Sequence, residues 1–442
     1  MELVKSLSGL RGTLAGVVMA SAVIATATPL LVTTAASAGL AGDGYASLEE
    51  RIAALEPTMA RGAGRTLALT IAGQINSAVM VWDDGGERDA YVVGNKNDQS
   101  NISFTGDARI SQDLQAGYTV TIRLRDNLSD GVDQSSDDGG LGFVVWESYW
   151  FMASERYGRL AVGQSSRVSD TAPEIDLSQT AVPGHVGSQD MGGHLALRLR
   201  TGDLAGVKLG DVYDHFNGDT ANVVRYDAPA VGGFIVSASY GEDDIWDVGG
   251  KYSAEFSGFR LGAAVAYSHA TDPSGLDGSG DVAHKTWVGS ASIVHELSGL
   301  NAVLAAGNRH YDKPVDDQGL GILRKPADSS FVYAKLGWLA ELGSLGPTAF
   351  YGEWGQFRDF ISATEDFSPA DVGSGAARFT GNTAEFWGVG VVQHIEAAAM
   401  QIYLGFRHHD FGFDLVDGVG NAVASPGVES LRLVVLGTKI SF

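Results

Sequence analysis

Two groups of charged residues could act on one another through space. Arg109, Arg123 and Arg125 lie in neighbouring segments whose polar and apolar residues alternate. Four carboxylates follow in the interval 166–220: Asp170, Glu174, Asp176 and Asp190. Neighbouring guanidinium groups repel one another unless acids or water face them. The two groups therefore predict an electrostatic field between basic and acidic residues rather than a covalent reaction.

Residue types that carry covalent catalysis are absent or lack the spacing that catalysis needs. The sequence contains no cysteine, which excludes thiol nucleophiles, thiolate zinc sites and disulfides. The ten histidines include His310 and the pair His408 and His409, but no G-x-S-x-G or H-E-x-x-H motif accompanies them. We therefore expect neither an enzyme nor a bound cofactor.

Composition narrows the kind of protein that must position these charges. With 53 Asp and Glu against 30 Lys and Arg, the formal net charge is −23, which argues against a nucleic-acid partner. Beyond the first 38 residues, no stretch is apolar for the ~20 residues that a membrane-spanning helix needs. Two classes remain, namely a large soluble β protein and a transmembrane barrel.

Alternation with a period of two dominates from residue 66 onward. The segment 118–125 divides into an apolar face and a polar face, which are Tyr118, Val120, Ile122 and Leu124 against Thr119, Thr121, Arg123 and Arg125. In a soluble sandwich the apolar face would point to the core. In a transmembrane barrel it points outward to lipid, and the polar face borders a channel.

The connections between strands distinguish these two classes. Short turns such as 257–258 and 298–299 alternate with connections that are mostly long and rich in Asp and Gly. Outer-membrane barrels have this asymmetry, with short periplasmic turns and longer external loops. A soluble sandwich has no reason to keep it.

We therefore expect an all-β fold, a 16-stranded antiparallel transmembrane β-barrel over residues 66–442. An even number of strands places both chain ends on the periplasmic side, and sixteen strands leave an aqueous channel. Fourteen or eighteen strands are the alternatives, because 195–199 and 207–212 could form another pair. The sixteen predicted strands are 66–82, 100–112, 118–127, 143–153, 158–165, 221–228, 234–241, 245–256, 259–270, 285–296, 300–311, 330–341, 346–357, 384–395, 399–410 and 431–442.

The first residues predict export. A basic start with Lys5 and Arg11 precedes a mostly apolar stretch, and residues 36–38 (Ala-Ser-Ala) fit a cleavage site. We expect residues 1–38 to be a signal peptide that leads to the outer membrane of a Gram-negative cell. A membrane anchor is the alternative, but Pro29 interrupts the apolar stretch.

Residues 39–65 are expected to form a periplasmic segment with a short helix. Ser47 and Glu50 make a capping box, and three apolar residues share one face: Leu48, Ile52 and Leu55. So short a helix is marginal alone in water. It packs on its own chain or forms a trimeric coiled coil below the barrel, and the sequence does not choose between these arrangements.

Aromatic residues lie on the apolar phase of many strands, often near strand ends. A barrel uses such residues as interfacial girdles, whereas ordinary β propensity is the plainer explanation. They are Trp246, Tyr252, Phe256, Phe259, Tyr267, Trp287, Trp338, Trp354 and Trp387.

Several stretches resemble the alpha-proteobacterial general porin family, whose members are trimeric sixteen-stranded outer-membrane channels. They span nearly all of the chain beyond the predicted signal: 73–76 with 82–85, 158–164, 174–178, 224–229 and 240–248. The chain ends in Phe442 on a strand, similar to the terminal aromatic signal that the outer-membrane assembly machinery reads.

The resemblance implies passive diffusion of small hydrophilic solutes and ions through a homotrimer. It also implies that the third external loop, here 166–220, folds into the lumen and narrows it. Arg109, Arg123 and Arg125 would then face the acids of that loop across the constriction. A channel specific for a sugar or an anion is the alternative, but only Tyr149, Phe151 and Tyr351 are candidates for an aromatic path.

A further acidic group is expected in an external loop between residues 129 and 140. Hard cations prefer clustered carboxylates, so a loop-bound Ca²⁺ or Mg²⁺ is one interpretation. The group lacks the EF-hand pattern, and the favoured interpretation is a solvated loop or one bridged to lipopolysaccharide by divalent ions. Its members are Asp130, Asp133, Asp137 and Asp138.

Overall fold

The computed structural model describes residues 58–62, 65–271, 283–312, 315–316, 323–324, 327–361 and 367–442. The predicted signal peptide and the predicted helix after it lie outside the described residues. Within the described part of the chain, no helix has the length and apolar character needed to cross a membrane.

Sixteen antiparallel strands form the wall of a closed barrel. They are β1 (Arg65–Asp83), β2 (Asn101–Arg109), β3 (Gln115–Asp126), β4 (Leu141–Ser154), β5 (Gly158–Ser166), β6 (Thr220–Asp227), β7 (Phe234–Gly241), β8 (Trp246–Phe256), β9 (Phe259–Ala270), β10 (His284–His295), β11 (Leu300–Tyr311), β12 (Ser329–Ala340), β13 (Thr348–Arg358), β14 (Arg378–Ile395), β15 (Met400–Val416) and β16 (Leu431–Ser441). Each pairs with the next in sequence, and β16 pairs with β1. The prediction of sixteen strands is confirmed.

The ring closes between the first and the last strand. The pairing of β1 with β16 runs from Gln74 opposite Ser441 to Asp83 opposite Arg432. The backbones of Gly73 and Phe442 exchange two hydrogen bonds of 2.9 Å. A Cβ on Gly73 would lie 2.7 Å from the ring of Phe442 and 2.6 Å from the carbonyl of Asn101, so only glycine fits at this junction.

On the side away from β16, strand β1 is long enough to pair with two strands in succession. Its first part pairs with β2, and its last part pairs with a short strand, Arg88–Gly94. Five further short strands are not among the sixteen of the wall: Ala196–Arg198, Leu204–Lys208, Val315–Asp316, Leu323–Arg324 and Ala422–Val423. A sixth, Thr58–Gly62, pairs with the start of β1.

The alternation along each strand has the inverted sense that a membrane barrel requires. In β12, Val332 and Leu336 point outward and are 50% and 70% exposed, whereas Tyr333 and Lys335 point inward and are buried. In β3, Thr121 and Arg123 contact lumen residues of β4. Val120, Ile122 and Leu124 lie on the opposite face and remain partly exposed.

Outward aromatic residues lie near both ends of the strands. Trp287 and Tyr267 stand close together near the long loops, with ring centroids 4.7 Å apart. Trp338 and Phe350 pair in the same way near the short turns, at 5.9 Å. Their amphipathic rings suit the two interfaces of a bilayer.

Three features of the structure refine the predicted strands and connections. Strands β14 and β15 extend further into the long-loop side than 384–395 and 399–410. The connection from β7 to β8, residues 242–245, is short although it lies on the long-loop side. The segments considered as an extra wall pair form the small hairpin of Ala196–Arg198 with Leu204–Lys208 inside the loop 167–219.

Candidate functional site

The connection between β5 and β6, residues 167–219, folds into the barrel and is called the inner loop here. Its backbone is held by short polar side chains that point inward from the wall. Ser290 of β10 accepts from the N–H of Ile175 (2.9 Å) and donates to the carbonyl of Ala172 (2.6 Å), and Ser292 accepts from the N–H of Leu177 (2.9 Å).

Buried ion pairs fix the inner loop to the strands from β11 to β15. Lys335 of β12 is fully buried, pairs with Asp176 and donates to the carbonyl of Gly184 (2.7 Å). Arg407 of β15 pairs with Glu353 of β13 (2.8 Å) and donates to the carbonyl of His185. Because a buried charge without a partner is costly, these pairs specify where the loop lies.

Aromatic packing fills the space between the inner loop and the same strands. Tyr213 of the loop stands edge-on to Phe357 at 4.8 Å between ring centroids, and its hydroxyl lies 3.0 Å from Nδ1 of His409. Phe216 packs on Phe331 at 5.6 Å. We call this part of the lumen, facing β10 to β15, the sealed side.

The opposite part of the lumen, facing β4 to β8, keeps a passage and is called the open side here. At the inner loop it holds a cavity of about 190 Å³, and toward the short turns a second one of about 680 Å³. Three cationic side chains line both cavities: Arg159, Arg225 and Lys251. The narrower cavity is also lined by Glu147, Tyr149, Ala161, Ser165, Ser166, Asp170 and Thr171.

Each cation of the open side is oriented by neighbouring groups. Arg159 donates to the hydroxyl of Tyr149 (3.1 Å) and lies over the ring of Phe151 at 4.8 Å. Arg225 contacts Asp227 of its own strand at 2.9 Å. Lys251 donates to the hydroxyl of Thr171 on the inner loop at 3.1 Å. These contacts aim the charges into the passage and hold them there.

A β-bulge supplies the acidic group of the wall. Thr121 of β3 pairs with Glu147 of β4, and the next residue, Ile122, pairs with Val145. Trp146 thus has no partner in the ladder. Trp146 and Glu147 therefore both face the lumen. Glu147 accepts from the hydroxyl of Thr121 at 2.9 Å.

The inner loop presents Asp170 and Thr171 to the passage. Thr171 has a left-handed backbone (φ 62°), which is rare for a β-branched residue. Its N–H donates to the side chain of Asn217 at 2.7 Å. Strain of this kind persists only where surrounding contacts over-determine it, and Asn217 and Lys251 both contact Thr171.

The three arginines predicted as a basic wall lie at different heights in the barrel. Arg123 stacks on the ring of Trp146 at 3.5 Å and experiences the charge of Asp170. Arg123 pairs with Asn101 at one end of β2, whereas Arg109 lies at the other end, opposite Gln115. The two ends of β2 are roughly 26 Å apart at ~3.3 Å per residue.

Arg125 lies one step beyond Arg123 and is exposed at the long-loop end. The structure therefore does not bring Arg109, Arg123 and Arg125 together at one level of the predicted basic wall, because strand parity determines the face but not the height.

The four predicted acids also take different positions. Asp170 lines the passage, whereas Asp176 anchors the loop through Lys335. Burial opposes ionisation of Asp176, but the lysine charge and hydrogen bonds outweigh it and hold its pKa below the usual range. Burial raises the pKa of Asp190 to about 6.

Glu174 lies between two histidines of the same loop. Nε2 of His215 is 2.8 Å and Nε2 of His185 is 3.5 Å from Oε1 of Glu174. Burial opposes the charge on Glu174, but the histidines lower its pKa to about 2. Burial acts in the same way on His215, yet its bond to Glu174 raises its pKa to about 9. Burial lowers the pKa of His185 to about 4.

Two members of the acidic group considered as a Ca²⁺ site have partners of their own. Asp130 pairs with Lys96 at 3.1 Å, and Asp133 accepts from the N–H groups of Ser135 and Ser136. Among the described residues, the group of three possible metal ligands that comes together is Glu174, His185 and His215 instead.

Sequence reasoning missed most of the residues that line the passage. The predicted constriction includes none of Arg159, Arg225, Lys251 and Glu147. The inward phase of these residues is visible in the sequence, but their common height depends on strand register. No sequence pattern indicated that Lys335 and Arg407 hold the inner loop, and the structure buries both against it.

Comparison with known proteins agrees with this architecture. Residues 20–414 match the sequence model of the family described as Gram-negative porin. A chitoporin from Vibrio furnissii is 25% identical over 189 residues, which are 43% of this chain and 44% of that protein. The chain therefore matches less than half the length of that relative.

Solved structures share the fold at low sequence identity. The anion-selective porin from Comamonas acidovorans is 15% identical, with 85% of this chain and 100% of that one covered and a TM-score of 0.51. OprB from Pseudomonas putida is 10% identical, with 85% and 94% covered and a TM-score of 0.52. OmpT from Vibrio cholerae is 12% identical, with 87% and 100% covered and a TM-score of 0.51.

Proposed function

The chain belongs to the Gram-negative porin family, and we propose that it forms a general diffusion pore whose passage is narrowed and charged by the inner loop. It lies in the outer membrane, where it is a channel for passive diffusion of small hydrophilic solutes rather than an enzyme. The observation that carries the proposal is the division of the lumen into a sealed side and an open side.

A transverse field across the passage sets the selectivity. Asp170 stands on the inner loop, and Arg159, Arg225 and Lys251 stand on the wall around the same cavity. Such a field orients dipolar solutes and disfavours nonpolar ones, which must disturb ordered water. Glu147 and Asp170 are two carboxylates against three cations, so the constriction favours anions although the whole chain carries −23.

Solute size and ion preference test the proposal separately. Swelling of liposomes in a graded series of uncharged sugars is expected to slow smoothly with sugar size. The reversal potential in a KCl gradient is expected to show chloride preference, which Arg159→Gln lowers and Asp170→Asn raises. Arg125→Gln serves as the control, because Arg125 lies away from the narrow cavity. A reversal potential that neither substitution moves would contradict the proposed field.

A sugar-specific channel is the second candidate, since Trp146, Tyr149 and Phe151 follow one inward stripe of β4. The guanidinium of Arg123 lies 3.5 Å over Trp146 and that of Arg159 lies 4.8 Å over Phe151, so each covers a face that a sugar ring would need. Tyr351 is buried beneath the loop at Gly184. Swelling rates that saturate with one oligosaccharide would favour this candidate.

We also propose the partners that a porin of this kind requires. Among the similar solved structures, OmpT of Vibrio cholerae is described in a trimer form, and a homotrimer is proposed for this chain. Outward aromatic residues would contact outer-membrane lipids, and the acidic long loops would contact lipopolysaccharide through divalent ions. The exposed ring of Phe442 would be read by the assembly machinery.

A further inference from the structure

Three side chains from separate turns of the inner loop converge on one point. One possible ligand atom from each of Glu174, His185 and His215 lies within 4.8 Å of the other two, and Oε1 of Glu174 is 2.8 Å from Nε2 of His215 and 3.5 Å from Nε2 of His185. All three side chains are largely shielded from solvent, and His215 is fully buried. The field across the passage uses Asp170 and the wall cations and leaves this cluster without a role.

We propose that Glu174, His185 and His215 form a binding site for a divalent transition-metal ion, with zinc as the expected ion. Two imidazole nitrogens and one carboxylate oxygen form a donor set that suits zinc, with a further position for water. The observed separations are those of a hydrogen-bonded cluster. A metal ion would replace the protons between these atoms.

The group behind His215 matches what a metal-bound imidazole needs. A histidine that binds metal through Nε2 carries its proton on Nδ1 and donates it to an acceptor. Nδ1 of His215 lies 2.9 Å from the side-chain amide nitrogen of Gln189, and Oε1 of that amide is buried without a hydrogen-bond partner. Rotation of the amide pairs this oxygen with Nδ1–H, which satisfies both groups.

His185 is held differently on its far side. A Cβ placed on Gly187 would lie 3.0 Å from Nδ1 of His185 and 2.8 Å from Oδ2 of Asp190, so both groups lie close to Gly187. Nδ1 of His185 accepts from the N–H of Gly187 at 3.0 Å. On metal binding through Nε2, the proton moves to Nδ1, so the N–H of Gly187 must turn away and Asp190 must approach as the acceptor.

A metal ion here would tie together three distant parts of the inner loop. It would also place a positive charge behind the narrow passage, because Glu174 interacts electrostatically with Arg123 and Lys251 of the wall. Zinc is therefore expected to stabilise the loop and to shift the reversal potential further toward anions.

Calorimetry on the chelator-treated full chain in detergent tests zinc binding without requiring conduction. We expect one zinc ion per chain. The substitutions His215→Gln and Glu174→Gln are each expected to weaken binding at least about tenfold. His194→Gln is the matched control, since His194 is an exposed histidine of the same loop. Equal zinc binding by wild type and both variants would overturn the proposal.

A second measurement does not depend on how the variants fold. Co²⁺ bound to the wild-type chain is expected to give a visible absorption band that zinc displaces, and no such band at saturating Co²⁺ would overturn the proposal. Ion selectivity of the zinc-free channel tests the diffusion pore itself, so failure of one proposal is distinguishable from failure of the other.

Discussion

The sealed and open sides of the lumen carry similar inward cations in different surroundings. On the sealed side, Lys335 and Arg407 are buried in ion pairs with Asp176 and Glu353. On the open side, Arg159 and Lys251 border a cavity and are oriented by a phenol, aromatic rings and a threonine hydroxyl. An inward charge therefore becomes an anchor where the loop covers it and a selectivity element where water reaches it.

Breaking an anchor is expected to have the largest effect. Lys335→Met leaves Asp176 buried without its counter-ion, which costs about 3–5 kcal/mol. The inner loop should detach, so thermal stability should fall and single-channel conductance should rise and become noisier. Adding Asp176→Leu is the control and should restore much of the stability. If the conductance of Lys335→Met is unchanged and no noisier than that of the wild type, the pair does not hold the loop.

A smaller loss is expected on the sealed side when only a hydrogen bond is removed. Tyr213→Phe leaves Nδ1 of buried His409 without its partner and should lower the free energy of unfolding by about 1–2 kcal/mol. Thermal denaturation in detergent measures it. Ion selectivity should stay the same. A changed reversal potential would show that the sealed side also affects selectivity.

On the open side, reversing one charge should alter selectivity more than stability. Lys251→Glu changes the charge beside the narrow cavity by two units, which at several ångströms in water corresponds to a factor of about 5 in the anion-to-cation permeability ratio. Arg125→Glu makes the same change of charge at the exposed long-loop end and should move the ratio far less. Equal shifts from both variants would mean that total charge, not the constriction, governs selectivity.

The smallest effect expected is a dependence of selectivity on pH. Burial, followed by the charge of Asp170, raises the pKa of Asp219 to about 7. Above this pH Asp219 is negative and below it neutral, so anion preference should increase as the pH falls from 8 to 6. Charged groups near Asp219 are Asp170, Glu174, His215, Lys96 and Arg123.

Reversal potentials at several pH values measure this change. Asp219→Asn should remove the part of the shift centred near pH 7 and leave the part near pH 6, where Asp190 titrates. A titration that is identical in Asp219→Asn would assign the effect to another group.

The sequence was sufficient for the wall but not for what lies inside it. Period-two alternation and turn asymmetry are local, so they located all sixteen strands and the outward phase of residues such as Val120 and Ile122. The height of Arg159, Arg225 and Lys251 depends on register between strands, which is set by pairing over the whole sheet. The path of the inner loop depends on serines such as Ser290 that no local pattern singles out.

The junction of Gly73 with Phe442 determines when the ring of strands can close. β16 is the last of the sixteen strands in chain order, so β1 lacks its second neighbour until β16 is present. Contacts between such remote parts of a chain form slowly, and exposed strand edges attract wrong partners in the meantime. Without β16, both β1 and β15 would have an unpaired edge, and the wall would be an open sheet instead of a tube.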